Sequence, residues 1–418
     1  MTRHRAERRG AGLRPSPAID LGLLESVRRS VLSESGPVTG LRVAAALRDS
    51  GRLLGATGSL AAMDRITAEL SGLGPLQELV SDPRVTDIFV NSPNSVWLDR
   101  GMGPERVDVA FDSEATLRAL AVRLIAVGGR RLDDSSPCVD VKIDPGYRVH
   151  AVLTPISSAG TLLSIRIRRP RVFTLKELQT SGCIHPVMGS VLRGMVAARL
   201  NFLISGSTGT GKTTLLSTLL GLCNPKERLV LIEDAAELNP DHPHVLTLEA
   251  RHSNTEGAGT IDLDELIRQA LRMTPGRLIV GECRGREVRE LLMALNTGHS
   301  GGGGTIHANS AMDVPARLVA LGVLADMSTE AVALQTASAL DVVVHLERIN
   351  GLRTVSEIGV FSLLAGSLVV ESAIKTEPEN TGIVAGPGWA ALAVRLGLDP
   401  EGTVLERSCS LASEEGQL

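Results

Sequence analysis

The chain has 418 residues, 43% of them hydrophobic and 22% charged, with a formal net charge of −4. At roughly 150 residues per domain this length gives two to three domains with room for a buried core. So small a net charge argues against bulk attraction to nucleic acid or anionic lipid, and 2% aromatic residues leave few platforms for stacking single-stranded bases.

Residues 1–16 carry five arginines and no hydrophobic periodicity, and read as disordered. This basic start has no apolar stretch behind it, so no secretory leader is expected. From Ala18 to Leu70 apolar residues recur at helical spacing (Leu21, Leu24, Val27, Val31, then Val43, Ala46, Leu47), giving short helices broken by Ser35-Gly-Pro and by Gly51 to Gly58. A different pattern starts at Gly72. Strands are expected at Val85–Asn91, Val96–Asp99, Val107–Phe111, Val139–Ile143, Arg148–Leu153 and Thr161–Ile167, with an amphipathic helix over Glu114–Val127. Residues 71–170 therefore read as a compact α+β domain and 171–185 as a linker.

From Pro186 strands alternate with helices, the pattern of a parallel α/β sheet. Strands are expected at Asn201–Ser205, Leu229–Glu233, His244–Leu248, Arg277–Gly281, Gly304–His307, Asp341–Arg348 and Thr354–Phe361. After Leu364 the pattern weakens, and 366–418 reads as a tail. The five cysteines (Cys138, Cys183, Cys223, Cys283, Cys409) are far apart and show no CxxC spacing, which supports neither a zinc cluster nor a disulfide scaffold. No stretch reaches the roughly 20 uninterrupted apolar residues of a membrane span. The expected location is the cytoplasm.

The chemistry centres on Gly206-Ser207-Thr208-Gly209-Thr210-Gly211-Lys212-Thr213-Thr214, which fits GxxxxGK[ST] between a short apolar strand and a helical run. Glycines let backbone N–H groups turn inward around phosphate oxygens at a helix N-terminus. Lys212 then reaches the β/γ-phosphates and Thr213 offers a hydroxyl to Mg²⁺. Only five lysines stand against 38 arginines, so a retained lysine is a candidate for a task arginine does not perform. Two later strands end in carboxylates on the same sheet edge: Leu229 to Glu233, followed by Asp234 and Glu237, and Arg277 to Glu282, with Gly281 where a Walker B strand usually carries Asp. A glutamate at a strand tip can polarise an attacking water or hold the Mg²⁺ hydration shell. Gly298-His299-Ser300, Gly301–Gly304 and Thr305-Ile306-His307 form the third signal: a glycine run permitting close approach of another segment, and a histidine placed to contact the γ-phosphate.

This set, GSTGTGKTT, IEDAAEL, VGECRG and GHSGGGGTIHAN, resembles the Walker A, Asp box, atypical Walker B and His box of the bacterial type II/type IV secretion ATPases. Upstream, GLGPLQELVSDPRVTDIFVN, GGRRLDDSSPCVDVKI, GYRVHAV and SIRIRR are similar to the N-terminal domain of the tight-adherence (Tad/Flp pilus) branch and its conjugal-transfer-associated relatives. The tetracysteine module and the AIRNLIRE-like motif of other branches are absent. The resemblance implies a RecA-like P-loop domain behind a smaller α+β domain, an ATP- and Mg²⁺-dependent hydrolase, and a homo-hexamer docked on an inner-membrane platform protein. It implies that Glu237, Glu282 and Glu233 are candidates for water activation and metal organisation, with the general base open among them. His307 would report the γ-phosphate, and Arg148, Arg166 and Arg168 would reach the nucleotide or its neighbour, with Arg272 and Arg284 as further candidates. The expected function is a motor for pilus assembly or protein secretion. Powering conjugal DNA transfer without direct nucleic-acid binding, and an ATP-binding scaffold with little turnover, are the alternatives.

Overall fold

The computed structural model describes residues 26–27, 30, 40–50, 72–143, 146–167, 172–251, 259–349, 351–377 and 382–400. The chain divides into two compact units, Met1–Arg169 and Pro170–Leu418. Of the N-terminal helices expected, α1 (Gly40–Asp49) is present. The disordered start expected for 1–16, and most of the segment to residue 70, lie outside the described residues.

After α1 the first unit continues with the short helix α2 (Gln77–Ser81) and builds a six-stranded antiparallel sheet. Its strands are β1 (Asp87–Ser92), β2 (Ser95–Asp99), β3 (Pro104–Val107), β4 (Cys138–Ile143), β5 (Tyr147–Val152) and β6 (Leu162–Ile167), in the order β3-β2-β1-β6-β5-β4. Helix α3 spans Glu114–Val127, as the periodicity indicates, because the Ser113 side chain accepts from Thr116 N and caps it. Its Leu117, Leu120, Leu124 and Ile125 pack on Ile88, Val90, Val149 and Ile165 of the sheet. One strand is displaced from its expected place. Asp99 Oδ1 accepts from Gly101 N (2.6 Å) and Gly103 N (3.0 Å), so the hairpin turns early and pairs Val96 with Val107. Val107–Phe111 therefore leaves the ladder after its first residue.

The second unit contains helices α4 (Leu175–Thr180) and α5 (Pro186–Ala197), then β7 (Phe202–Gly206), α6 (Lys212–Leu220), β8 (Leu229–Glu233), β9 (Val245–Glu249) and α7 (Leu263–Ala270). There follow β10 (Arg277–Cys283), α8 (Glu287–Leu295), β11 (Gly303–Ile306), α9 (Val314–Leu324), α10 (Thr329–Ala339) and β12 (Val342–Ile349). The unit ends in β13 (Leu352–Leu364), β14 (Ser367–Thr376), β15 (Ile383–Ala385) and α11 (Trp389–Arg395). The nine strands form one sheet, β15-β14-β13-β12-β7-β11-β10-β8-β9, parallel from β12 to β9 and antiparallel from β12 to β15. Alternate residues feed two cores. Phe202, Ile204, Leu229 and Leu231 pack beneath α5 and α6, whereas Leu203, Val230, Ile232 and Val280 pack beneath α7 and α8. A strand buried on both faces reads as a continuous apolar run, which is why these strands stand out in the sequence.

Two segments depart from the expected layout. The linker expected over 171–185 holds α4, closed by a capping box between Thr174 and Glu177, and its Leu175 and Leu178 are buried in the second unit's core. The tail expected from residue 366 instead continues the sheet. A turn at Ala365-Gly366, both at positive φ, returns the chain into β14, and Trp389 and Leu392 of α11 close over the same core. Among the described residues no helix is long and apolar enough to cross a membrane.

Candidate functional site

Because β7, β8, β10 and β11 are parallel, their carboxyl ends share one edge, where an open α/β sheet presents its ligand crevice. The loop 206–211 leaves β7 there and enters α6. Gly206, Gly209 and Gly211 all have positive φ, and a Cβ on Gly206 would collide with the Leu346 carbonyl of β12. The helix opens at Gly211, a left-handed N-cap with no side chain to bond its first N–H groups.

Lys212 is buried, and its Nζ donates to Gly206 O and Ser207 O, both at 2.9 Å. It also lies 3.3 Å from His307 Nδ1, while His307 Nε2 stands 2.7 Å from Glu282 Oε1. An ammonium can only donate, so His307 Nδ1 accepts from Lys212 and the proton of the neutral ring sits on Nε2, which approaches Glu282 Oε1 without hydrogen-bond geometry. Burial first, and the Lys212 charge second, hold the His307 pKa below its ordinary 6.5, with Glu282 opposing them. Burial lowers the Lys212 pKa as well, against the pull of Glu282. Beyond Glu282 the chain of contacts continues through Arg284, whose Nη2 donates to Glu282 Oε2 and whose Nη1 lies 3.9 Å from Asp234. Thr213 and Thr214 follow in the first turn of α6, half-buried. A cleft of about 580 Å³ opens beside the loop, lined by Ser207, Thr208, His307, Asn309, Asp313 and Arg317.

Local irregularity aims Glu282. The register of β10 against β11 shifts between Val280 and Cys283, which takes Gly281 and Glu282 out of the ladder. While Glu233 keeps its place only glycine fits at position 281, because a Cβ there would stand 2.7 Å from Glu233 Cγ. Glu233 fills the space that an Asp at 281 would need. It is buried, and its Oε1 accepts from Glu237 N (2.8 Å) and Leu238 N (2.9 Å), so it organises the turn after β8. Glu237 itself is exposed. The glycine run has its expected close approach: a Cβ on Gly303 would strike Phe202 O and one on Gly304 would strike Val280 O, so β11 fits between β7 and β10 only without side chains there.

Thus Lys212, His307 and Glu282, up to 95 residues apart in sequence, form one contact chain. Other candidates fall elsewhere. His299 Nδ1 lies 3.0 Å from Ala294 O at the end of α8, and Arg272 precedes the start of β10, at the sheet end away from the loop. In the first unit Arg148 pairs with Asp140 (3.0 Å) and Arg166 with Asp87 (3.1 Å); the two arginines are cross-strand neighbours. Arg168 lies outside the described residues. The sequence reading missed Glu287, whose Oε1 accepts from Arg284 N and from Gly285 N (2.7 Å) and so shapes the turn that carries Arg284. It also missed the buried pair Ser205 Oγ and His345 Nδ1, 2.9 Å apart under the loop. A polar residue inside an apolar strand, as at His345, is the signal that marks such a pair.

The loop offers what an anionic group needs, three glycines at positive φ and a lysine ammonium whose present acceptors, Gly206 O and Ser207 O, are neutral carbonyls. Among the described residues no cluster of three or more His, Cys, Asp or Glu could hold a metal ion.

Residues 69–354 match the family described as "Type II/IV secretion system protein". A Mycobacterium tuberculosis (H37Rv) protein named for conjugal transfer is 46% identical over 321 residues, covering 75% of this chain and 91% of that protein. The type IV secretion system protein PtlH of Bordetella pertussis (Tohama I) is 33% identical over 323 residues, covering 70% and 94%. The X-ray structure of the Yersinia pseudotuberculosis ATPase DotB shares the fold, with TM-score 0.50, 15% identity, and coverage of 81% of this chain and 84% of that one. The α+β unit followed by a RecA-like P-loop unit, and the matches that span both, place this chain in the type II/IV secretion system protein family.

Proposed function

We propose that this chain hydrolyses ATP with Mg²⁺ and works as a homo-hexameric motor, docked on an inner-membrane platform protein at the cytoplasmic face, to drive export through a secretion or pilus machine. The observation that carries the reading is the chain Lys212–His307–Glu282–Arg284 at the mouth of a phosphate-accepting loop. The backbone of Gly206–Thr214 and Lys212 hold the phosphates, while Thr213 and Glu282 hold Mg²⁺. When bound, Mg²⁺ neutralises charge developing on the transferred phosphoryl group.

Of the three glutamates, Glu282 is the one placed to orient and deprotonate water. Its Oε2 accepts from Arg284 while its buried Oε1 takes no hydrogen bond, whereas Glu233 Oε1 accepts from two backbone N–H groups and Glu237 lies in solvent. His307 joins Lys212 to that base, so displacement of Lys212 by a phosphate is felt at Glu282. The same reading gives Arg148, Arg166 and Arg168 the part of phosphate-reaching arginines, for which Asp140 and Asp87 would have to release the first two.

The relative named for conjugal transfer favours DNA export as a second cargo beside pilin or secreted protein. Solution mass with and without ATP–Mg²⁺ tests the ring, and a monomer under both conditions contradicts it. Hydrolysis stimulated by DNA, with steep salt dependence, supports the DNA reading over the pilus reading.

A further inference from the structure

The hairpin β12–β13 reaches past the phosphate loop. Leu346 pairs with Gly206 and His345 with Ser205, so the residues after Leu346 rise beside loop 206–211. At its tip Arg348 and Arg353 are directly opposed in register, and both are exposed. Like charges directly opposed across a strand pair are destabilising unless acceptors offset them. Here the two guanidinium groups share one acceptor: Gly209 O accepts from Arg353 Nε at 3.1 Å and from Arg348 Nη2 at 3.4 Å. The Arg353 stem lies along the loop as well, with Cδ 3.5 Å from where a Cβ on Gly211 would sit.

A trans amide is planar, and its C=O and N–H point in opposite directions. Two guanidinium groups drawing the Gly209 oxygen outward therefore turn the Thr210 N–H toward the inside of the loop. A charged donor on the carbonyl also polarises the amide and strengthens that N–H as a donor. Resting on the ATPase reading above, we infer that Arg348 and Arg353 are paired positioning residues. They hold the Gly209–Thr210 peptide in the orientation that presents its N–H to a nucleotide phosphate, and so tie nucleotide affinity to the β12–β13 hairpin. They act on bound phosphate before and during the reaction alike, which is uniform binding: it changes KM and leaves kcat in place.

The test is calorimetric binding of ADP–Mg²⁺ and of inorganic pyrophosphate to the full chain, with steady-state ATP kinetics, for wild type, Arg348→Gln, Arg353→Gln, the double variant and Arg353→Lys. The double variant should bind both probes about tenfold more weakly and raise KM for ATP by the same factor, with kcat within about twofold, the loss expected for one donor position in the cradle. Arg353→Lys, which keeps a charged donor, should recover part of the affinity. Wild-type binding retained in the double variant overturns the inference while leaving the ATPase reading intact. A fall in kcat at unchanged probe affinity, or a loss of binding that tracks a loss of folded protein on melting, overturns it as well. Wild type that binds neither probe removes the nucleotide reading itself, and the inference with it.

Discussion

Replacing His307 by Ala removes the middle of the chain that joins Lys212 to Glu282. The variant loses a contact to a carboxylate at 2.7 Å and one to an ammonium at 3.3 Å. A hydrogen bond to a charged group is worth about 1.5–3 kcal/mol. The His307 side chain is 35% exposed, which puts the expected loss toward the lower end of that range. Each 1.36 kcal/mol is tenfold in rate, so kcat for ATP should fall roughly ten- to thirtyfold. The pH profile supplies an independent check. His307 links Lys212 to Glu282 in its neutral form, with its pKa held below 6.5, so wild-type activity should hold through neutrality and decline only as the pH falls below that value. The same sign governs stability. Below pH 6.5 the unfolded imidazole takes up a proton before the folded one, so the folded state loses stability as pH falls and gains nothing further above it. His345, held low by burial, adds to that loss. Full activity in His307→Ala, or an acid limb unchanged in position when the imidazole is gone, would refute the reasoning.

Three further outcomes follow from packing. Arg277, 2% exposed, donates to Glu227 through Nε (2.7 Å) and Nη2 (3.0 Å), and to Val196 O (2.9 Å). Arg277→Ala leaves Glu227 with Arg199 as its cation and the Asn224 N–H, and should lower unfolding stability in urea by about 3–5 kcal/mol; a loss under 1 kcal/mol contradicts the buried pairing. Gly303→Ala, which forces a Cβ into the Phe202 carbonyl at φ of 155°, should cost at least about 2 kcal/mol and be visible as a lowered melting temperature. Thiol labelling of native protein should reach exposed Cys138 well before buried Cys223, whose pKa burial pushes up to about 11, or Cys283, also raised by burial. Equal rates would contradict the burial.

The sequence makes the nucleotide loop and the parallel strands legible because local rules suffice for them. A glycine-rich turn between strand and helix is a single-segment feature, and Leu229–Glu233 can be nothing but an apolar run when both faces of the sheet are covered. Helix α3 is equally local, with its Ser113 cap. The remainder depends on what lies opposite. Gly281 looks like a departure from a motif until Glu233 on the neighbouring strand is seen to fill its space. Residues 367–376 look like a tail until β13 offers them a pairing edge, and Thr174–Glu177 looks like a connector until its leucines find a core. The role of Arg348 and Arg353 has no sign in the sequence, since nothing in it places a carbonyl 139 and 144 residues upstream within their reach.

The account stands most directly on the separation of binding from turnover at the loop. ATP affinity and single-turnover hydrolysis should be measured together for wild type, Lys212→Ala and Glu282→Gln. The account predicts that wild type binds and hydrolyses, that Lys212→Ala fails to bind, and that Glu282→Gln binds ATP with near wild-type affinity yet loses at least about a hundredfold in hydrolysis, as expected when a general base is removed. Hydrolysis by Glu282→Gln at the wild-type rate, or wild type that binds ATP and never turns it over, would contradict it.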